Sequence, residues 1–216
     1  YSRMVLSVGV DYEGEETFAL VEKIRNTAAK YYGNNYYLAG QGVSTYDLMD
    51  TITDDMVKVN LVAIAAVLIV LILTMRQIKT PIVLVLAIET AIWINLSIPY
   101  LQNTPLFYIA YLIISSVQLG ATVDYAILFS DRYRECRREM DKKESIIATI
   151  SQTSVSILTS GITMIAVGFL LGIISTHGLL SQLGYLLGKG TICSVLTVFF
   201  VLPGLLYLTD RKKTSF

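Results

Sequence analysis

The chain is 216 residues long, 54% hydrophobic and 16% charged, and its 17 basic and 17 acidic residues cancel to a net charge of zero. Soluble domains carry about 25% charged residues, so this composition excludes an ordinary soluble globule. The balanced charge gives no argument for a nucleic-acid partner, and we expect none.

Residues 1–56 form the polar part of the chain and predict one small α+β domain. Weak alternation over 3–10 and the short run 36–39 are typical of strands, and the apolar spacing over 15–31 is typical of an amphipathic helix. A further helix follows, so the order strand–helix–strand–helix corresponds to about half of a ferredoxin-like split βαβ unit. Because two strands bury a helix face poorly, we expect further strands upstream of Tyr1 and a longer protein.

Residues 57–210 contain five apolar segments, each long enough to cross a hydrocarbon core about 30 Å thick. We predict transmembrane helices at about 57–75, 81–100, 106–129, 152–174 and 183–208. Three charged residues occur in the stretches 59–75, 80–130 and 145–209, namely Glu89, Asp124 and Lys189. The predicted fold class is therefore a membrane all-α bundle of five helices, joined to part of the ferredoxin-like domain.

The basic residues alternate between the connections of these segments. The first segment is followed by Arg76 and Lys79, and the fifth by Arg211, Lys212 and Lys213. The third segment is followed by six basic residues, Arg132, Arg134, Arg137, Arg138, Lys142 and Lys143. The connections 100–105 and 175–182 contain neither Lys nor Arg. The positive-inside rule then places residues 1–56 outside the cytoplasm, and the amphipathic connector 131–150 and the tail 211–216 in the cytosol. We expect a multi-pass protein of the cell membrane.

Asp124 is the first candidate for a functional group. A carboxylate near the centre of a membrane span costs at least about 2.5–3.5 kcal/mol, so its presence there points to function. Counting from Asp131 places it about 10 Å below the predicted cytosolic boundary. Burial away from water favours a protonated carboxyl, so such a group is able to take up and release a proton near physiological pH. The alternative is a structural acid paired with a cation or a helix end.

Polar groups at a similar depth are candidates for a relay with this acid. Tyr125 is adjacent to it, and Gln118 belongs to a polar stripe of the same segment. Thr159 and Ser160 reach a comparable depth on the fourth segment, and Glu89 does so on the second. Glu89 suits a second relay group or a substrate contact, and it equally suits a protonated acid that packs inside the bundle.

The other distinctive residues favour structural interpretations. Lys189 lies near the outer end of the last segment, where its long side chain extends toward the interface. Gly184, Gly188 and Gly190 permit close helix packing, whereas a phosphate-binding loop would need a preceding strand. His177 has no Cys, His or carboxylate neighbours in the sequence. We therefore predict no metal, no cofactor and no enzymatic activity.

Three stretches resemble a known transporter family. Residues 118–135 (QLGATVDYAILFSDRYRE) resemble the fourth-helix signature of the MMPL (mycobacterial membrane protein large) transporters, which belong to the resistance-nodulation-division superfamily. Residues 158–190 (LTSGITMIAVGFLLGIISTHGLLSQLGYLLGKG) and 199–213 (FFVLPGLLYLTDRKK) are similar to the final two helices of that family. The short basic tail makes the chain most similar to the C-terminal half of such a transporter, of the type found in Gram-positive bacteria.

The resemblance implies roles for particular residues. Asp124 and Tyr125 coincide with the family's Asp-Tyr pair, and each half of a transporter contributes one such pair. The two pairs hydrogen-bond across the central helices, and protons pass through them. A hydroxyl on the next helix often joins this network, a place that Ser160 or Thr159 occupies here. Glu89 is not part of the shared motif.

These features together predict a proton-motive-force-driven exporter of lipids, hydrophobic drugs or peptides. The expected partners are membrane lipids, a hydrophobic or amphipathic substrate and the N-terminal half of the same transporter, with a homo-oligomer as a further option. One alternative is a SecD/SecF-like secretion accessory, which is disfavoured because those proteins tend to carry Asp-Ala-Asn where this chain has Asp124, Tyr125 and Ala126. Another is a non-transporting lipid- or sterol-sensing scaffold, in which neutralising Asp124 would leave activity intact.

Overall fold

A computed structural model describes residues 3–10, 14–102, 104 and 106–210, without the side chains of Asp54 and Tyr108. The tail 211–216, predicted to be cytosolic, lies outside these residues. The helices are α1 (Glu15–Tyr32), α2 (Gln41–Met75), α3 (Lys79–Leu101), α4 (Tyr108–Cys136), α5 (Lys142–Ile174), α6 (Gly178–Leu196) and α7 (Leu202–Thr209), with a π-helical turn at Thr197–Val201. The chain divides into two compact units, Tyr1–Lys58 and Val59–Phe216.

The first unit is built from α1 and the first part of α2. The helix predicted over 15–31 is confirmed by α1. It ends at Gly33, whose φ of 60° is a backbone conformation that glycine adopts without steric cost. Phe18 of α1 packs against Tyr46 of α2, with ring centroids 5.8 Å apart. Aromatic contact therefore joins the two helices of this unit.

The strands predicted at 3–10 and 36–39 do not form in the described residues, and this expectation is wrong for the structure. A strand is stabilised when its backbone groups bond a neighbouring strand, and the described chain pairs neither segment in that way. The side chains of Met4 and Val5 are accordingly 77% and 75% exposed. The ferredoxin-like domain stays a prediction.

Five helical segments of the described chain are long and apolar enough to cross a membrane, as the sequence predicts. They are Gln41–Met75, Lys79–Leu101, Ile109–Cys136, Lys142–Ile174 and Gly178–Thr209. The protein is therefore a mostly α-helical, multi-pass membrane protein. The predicted connector 131–150 is not a separate element, since α4 continues to Cys136 and α5 begins at Lys142. Ion pairs between residues three positions apart, such as Arg132 with Glu135, favour the helical conformation at these charged helix ends.

The core of the second unit lies where α3, α4 and the last transmembrane segment meet. Leu84 and Ile88 of α3, Phe129 of α4 and Leu202 of α7 are all buried there. Ile157 of α5 reaches the same cluster and is fully buried. One face of each helix is thus covered by its neighbours in the chain, and the remaining faces are left for lipid or protein.

The α5–α6 interface is the most closely packed contact between helices of this unit. A Cβ added to Gly184 would lie 2.4 Å from the backbone nitrogen of Gly172. A Cβ added to Gly168 would lie 2.6 Å from the backbone nitrogen of Gly188. The two backbones approach so closely because neither helix carries a side chain at these points. The packing role predicted for Gly184 and Gly188 is confirmed.

Candidate functional site

Asp124 lies on the face of α4 that the described chain leaves uncovered. Val117, Gly120 and Leu128 share this face at helical spacing, and all are exposed. A Cβ added to Gly120 would have nothing within 4 Å. No described Lys or Arg nitrogen lies within 4 Å of the Asp124 carboxylate. Because this face belongs to the candidate span Ile109–Cys136, either lipid or further protein must cover the acid in a membrane.

Tyr125, the next residue, is turned into the bundle and is 5% exposed. Its hydroxyl lies 3.4 Å from the hydroxyl of Ser160 on α5, and either oxygen is able to donate. The structure therefore brings two of the sequence-predicted residues together, and Tyr125 is the neighbour of Asp124 in the sequence. Each of the two hydroxyls on the α4–α5 seam is able to donate or to accept a hydrogen bond.

Ser160 belongs to a hydroxyl-bearing face of α5. Together with Ser156, Thr159 and Thr163 it lines an open groove on the bundle surface. The hydroxyls of Thr159 and Thr163 donate to backbone carbonyls one turn earlier in α5, at 2.7 and 2.8 Å. These bonds satisfy the donors inside the helix and leave oxygen lone pairs available in the groove. The exposed face of α5 is therefore polar at a position where a lipid-facing helix would be apolar.

Gln118 lies in a buried polar network between α3, α4 and α6, not beside the acid. Its Oε1 accepts a hydrogen bond from Asn95 Nδ2 at 2.8 Å, and its Nε2 donates to the carbonyl of Gly190 at 3.1 Å. Nε2 also lies 3.3 Å from the hydroxyl of Ser194, and Asn95 Nδ2 donates to the carbonyl of Leu186 at 3.0 Å. Six positions along α4 rotate Gln118 by about 120° from the acid. In this chain Gln118 anchors three helices to one another.

Asn95 is not among the functional residues predicted from the sequence, although the sequence contains a feature that points to it. It is fully buried, and an amide inside a largely apolar helix is costly in a membrane unless the group is bonded. The network also requires Gly190, since a Cβ there would lie 2.4 Å from Gln118 Oε1. A search for isolated polar residues in the predicted spans would have found Asn95, but its partners depend on the packing of three helices.

The other two charged residues of the spans form no hydrogen bond or ion pair with Asp124 in the described structure. Glu89 is half-buried, and its Oε1 is buried without a hydrogen-bond partner among the described residues. Lys189 extends its Nζ to 3.4 Å from Gln102 Oε1, just past the end of α3. That contact fits a lysine whose charge is drawn toward the predicted outer interface.

The described residues contain no group of three or more His, Cys, Asp and Glu side chains arranged to hold a metal ion. Cys136 and Cys193 are both free thiols. The groups that the α4–α5 region does offer are the Asp124 carboxyl and the hydroxyls of Tyr125 and Ser160, which are side chains of the types that bind and transfer protons.

The MMPL family matches residues 2–216, almost the entire sequence. The chain belongs to the MMPL family. This membership confirms the resemblance indicated by residues 118–135. Among similar proteins is the membrane protein SCO0839 of Streptomyces coelicolor, which is 29% identical over 203 residues; these cover 92% of this MMPL chain and 29% of that protein.

Two further relatives extend the comparison. The membrane protein ActII-3 of Streptomyces coelicolor is 28% identical over 159 residues, covering 71% of the MMPL chain and 22% of ActII-3. The probable transport protein MmpL12 of Mycobacterium tuberculosis is 26% identical over 103 residues, covering 48% of the chain and 9% of MmpL12. The chain spans less than a third of the length of each of these relatives.

Proposed function

We propose that this MMPL chain is the C-terminal transmembrane half of a proton-driven exporter in the cell membrane, which moves lipids, hydrophobic drugs or peptides. Membership of the MMPL family and the relative named for transport support this assignment. The observation that carries it is the uncovered Asp124 inside a candidate membrane span, next in the sequence to Tyr125, whose hydroxyl lies 3.4 Å from that of Ser160. Asp124 is the proton-carrying carboxylate in this proposal.

The uncovered face of α4 supports a second transmembrane half as the partner. An ionised carboxylate facing lipid tails costs at least about 2.5–3.5 kcal/mol, and no described cation offsets that cost. The open space at Gly120 leaves room for another helix backbone to approach next to Asp124. We therefore assign this face to the N-terminal half of the same transporter, whose own polar groups would lie against the acid.

Protonation of Asp124 is the step that couples the proton gradient to transport. Uptake of a proton removes a negative charge between the two halves, so their preferred packing changes. Tyr125, Ser160 and Thr159 offer hydroxyls through which the proton reaches or leaves the carboxyl, by themselves or with water. Gln118 and Glu89 are not needed for this path, because neither contacts the Tyr125–Ser160 pair in the described structure.

The remaining assignments follow the charge pattern of the sequence. Residues 1–56 form part of an extracytoplasmic ferredoxin-like domain that selects the substrate, and the C-terminus lies in the cytosol. Membrane lipids surround the apolar faces of the bundle. These faces also leave room for a homo-oligomer of the complete transporter. Movement of the two halves about Asp124 would be transmitted through α2 into this outer domain.

The test is Asp124→Asn in the full-length protein, with export of a hydrophobic dye measured in vesicles under an imposed pH gradient. Asparagine keeps the shape of the side chain but binds no proton at neutral pH, so gradient-driven export should be lost. Asp131→Asn is the matched control, since Asp131 lies two turns further along the same helix and pairs with Arg134 at 3.7 Å. That variant should export at the unmutated rate.

Gradient-driven export that continues unchanged in Asp124→Asn would contradict the proposal. It would favour the lipid- or sterol-sensing scaffold, in which the acid has no transport role. Equal loss of export in both variants would show that the assay responds to any lost acid on α4, and it would also remove support from Asp124 as a specific proton carrier.

A further inference from the structure

A pocket of about 290 Å³ opens at the end of the bundle where α3 begins and where α4 and α7 end. Four basic side chains line it, namely Lys79, Arg134, Arg137 and Arg138. Asp210 is the one acidic side chain in the described lining. Drug-sized ligands occupy pockets of about 300–1,000 Å³, so this volume suits a small polar group.

Asp210 is already engaged and does not neutralise the pocket. Its Oδ2 accepts a hydrogen bond from Arg137 Nε at 2.6 Å and another from the Tyr133 hydroxyl at 2.9 Å. The carboxylate raises the pKa of Arg137 above its ordinary value through this hydrogen bond, so the guanidinium keeps its charge. This pair cancels in charge and forms one fixed wall of the pocket.

Of the other three cations, two have no close acidic partner and the third has a weak one. In the described part of the chain, neither Lys79 nor Arg138 has an acidic oxygen within 4 Å. Arg134 has the carboxylate of Asp131 at 3.7 Å, an exposed pair that contributes at most about 1 kcal/mol. Like charges around one small cavity repel each other, and an anion placed between them would remove that cost.

The first turn of α3 adds to the positive character. Gln77 and Thr80 line the pocket on either side of Lys79, where the helix begins. Among the described side chains none caps this helix N-terminus, so the positive end of its dipole is not offset by a capping group. Gln77 and Thr80 hydrogen-bond each other at 2.6 Å and supply further polar groups at the rim.

The lower wall of the pocket is apolar and leads into the membrane-spanning part. Val83 of α3 and Leu206 of α7 line it one turn inside the bundle, within two candidate membrane spans. The pocket therefore lies at the depth of lipid head groups, at the end of the bundle that the charge pattern assigns to the cytosol. A ligand here would place a negative group among the cations and an apolar chain along the helices.

We propose that this pocket binds the phosphate head group of an anionic phospholipid. The cations that carry the selectivity are Lys79 and Arg138, because among the four cations of the described pocket lining they are the two without an acidic oxygen within 4 Å. Basic pockets between transmembrane helices on the cytoplasmic side are suited to such head groups. Binding would tie the start of α3 to the ends of α4 and α7 and would depend on the lipid composition of the membrane.

The experiment uses the full-length protein, stripped of lipid in detergent and exposed to an equimolar mixture of phosphatidylglycerol and phosphatidylcholine. Native mass spectrometry then counts the lipids that stay bound. Unmutated protein should retain phosphatidylglycerol selectively. Lys79→Gln combined with Arg138→Gln should reduce that selectivity about tenfold or more, as expected for two lost charges at a lipid surface.

Two control variants separate this pocket from general surface charge. Arg76→Gln combined with Lys143→Gln removes the same charge from exposed residues outside the pocket lining, and it should retain the selectivity. Lys79→Arg combined with Arg138→Lys keeps both charges and should also retain it. Size-exclusion chromatography of every variant shows which of them fold, and the unmutated protein tests the selectivity without any substitution.

Several results would overturn the proposal. They are equal retention of the two lipids by unmutated protein, unchanged selectivity in the Lys79–Arg138 double variant, and an equal loss in the Arg76–Lys143 control. Displacement of the retained lipid by excess inorganic phosphate would show that the ligand is the free anion, and it would reject the lipid assignment.

Discussion

The α5–α6 interface and the uncovered face of α4 differ in nearly every respect. Toward α6, glycines on both helices bring the backbones into contact, as at Gly168 and Gly184. On the uncovered face of α4, Gly120 has empty space around it and Asp124 is exposed, and the adjacent Tyr125 reaches Ser160 of α5 only at 3.4 Å. The α5–α6 interface is complete within the described chain, whereas the face of α4 presents polar groups that the described chain does not cover.

The difference teaches how function and stability are divided in this bundle. Buried polar groups such as Gln118 and Asn95 bond across helices and fix the fold. The carboxyl of Asp124 is instead exposed, with no described Lys or Arg nitrogen within 4 Å, so it does not hold one helix of the described chain to another. The proposed function uses this unbonded acid, whereas the fold uses the bonded amides.

The largest effect expected on stability is from Gly184→Ala. The added Cβ would meet the Gly172 nitrogen at 2.4 Å, so the α5–α6 backbones must separate, at a cost of about 2 kcal/mol or more. Gly204→Ala is the matched control, because Gly204 lies within α7, its added Cβ would meet nothing within 4 Å, and alanine favours a helix by up to about 1 kcal/mol. Thermal unfolding in detergent measures the stability of both variants. Equal unfolding temperatures for the two variants would contradict the close packing of the α5–α6 interface.

A smaller loss is expected from Gln118→Met, which keeps the side-chain volume and removes three hydrogen bonds of the buried network. Interhelical hydrogen bonds in membranes contribute about 0.6 kcal/mol each on average, so the loss should be about 2 kcal/mol. Ser97→Ala removes an exposed bond within α3 and should change stability by less than about 0.5 kcal/mol. A Gln118→Met protein as stable as the unmutated one would show that the network does not anchor the helices.

The smallest stability change is expected from Tyr125→Phe. This variant tests whether Tyr125 contributes to export rather than to the stability of the fold. The lost contact to Ser160 is long, so unfolding should shift by less than about 0.5 kcal/mol. Export driven by a pH gradient should nevertheless slow, because a hydroxyl of the proposed proton path is gone. Parallel unfolding and vesicle assays measure the two effects. A marked loss of stability with normal export would assign Tyr125 to the fold rather than to proton transfer.

Much of the bundle was predictable because a membrane demands a simple sequence pattern. An apolar run near 20 residues long is visible in the sequence, so the number of spans is predicted correctly. The ends of the helices were not predicted correctly, since α4 and α5 extend into charged segments. Charged residues such as Arg, Lys and Glu have helix propensities similar to those of Leu and Met. The strand predictions at 3–10 and 36–39 failed because a strand depends on a neighbour that local sequence does not specify.

The candidate site was predictable in part. Asp124 stands out because one acid in an apolar run is costly, and the contact of Tyr125 with Ser160 agrees with counting residues from the predicted membrane boundary. Gln118 seemed to share the stripe of the acid, yet helix packing turns it toward Asn95 and α6. The pocket around Lys79 and Arg138 joins residues about 60 positions apart, so no local pattern predicts it.

The sequence by itself determined that the described chain has five helical segments long and apolar enough to cross a membrane, that one of them carries Asp124, and that its glycines permit close packing. Those properties depend on the transfer of single side chains into hydrocarbon, which is a local quantity. The tertiary structure decided which polar groups are bonded and which are open. That choice depends on where distant helices meet, and it separates the buried Gln118–Asn95 network from the uncovered Asp124.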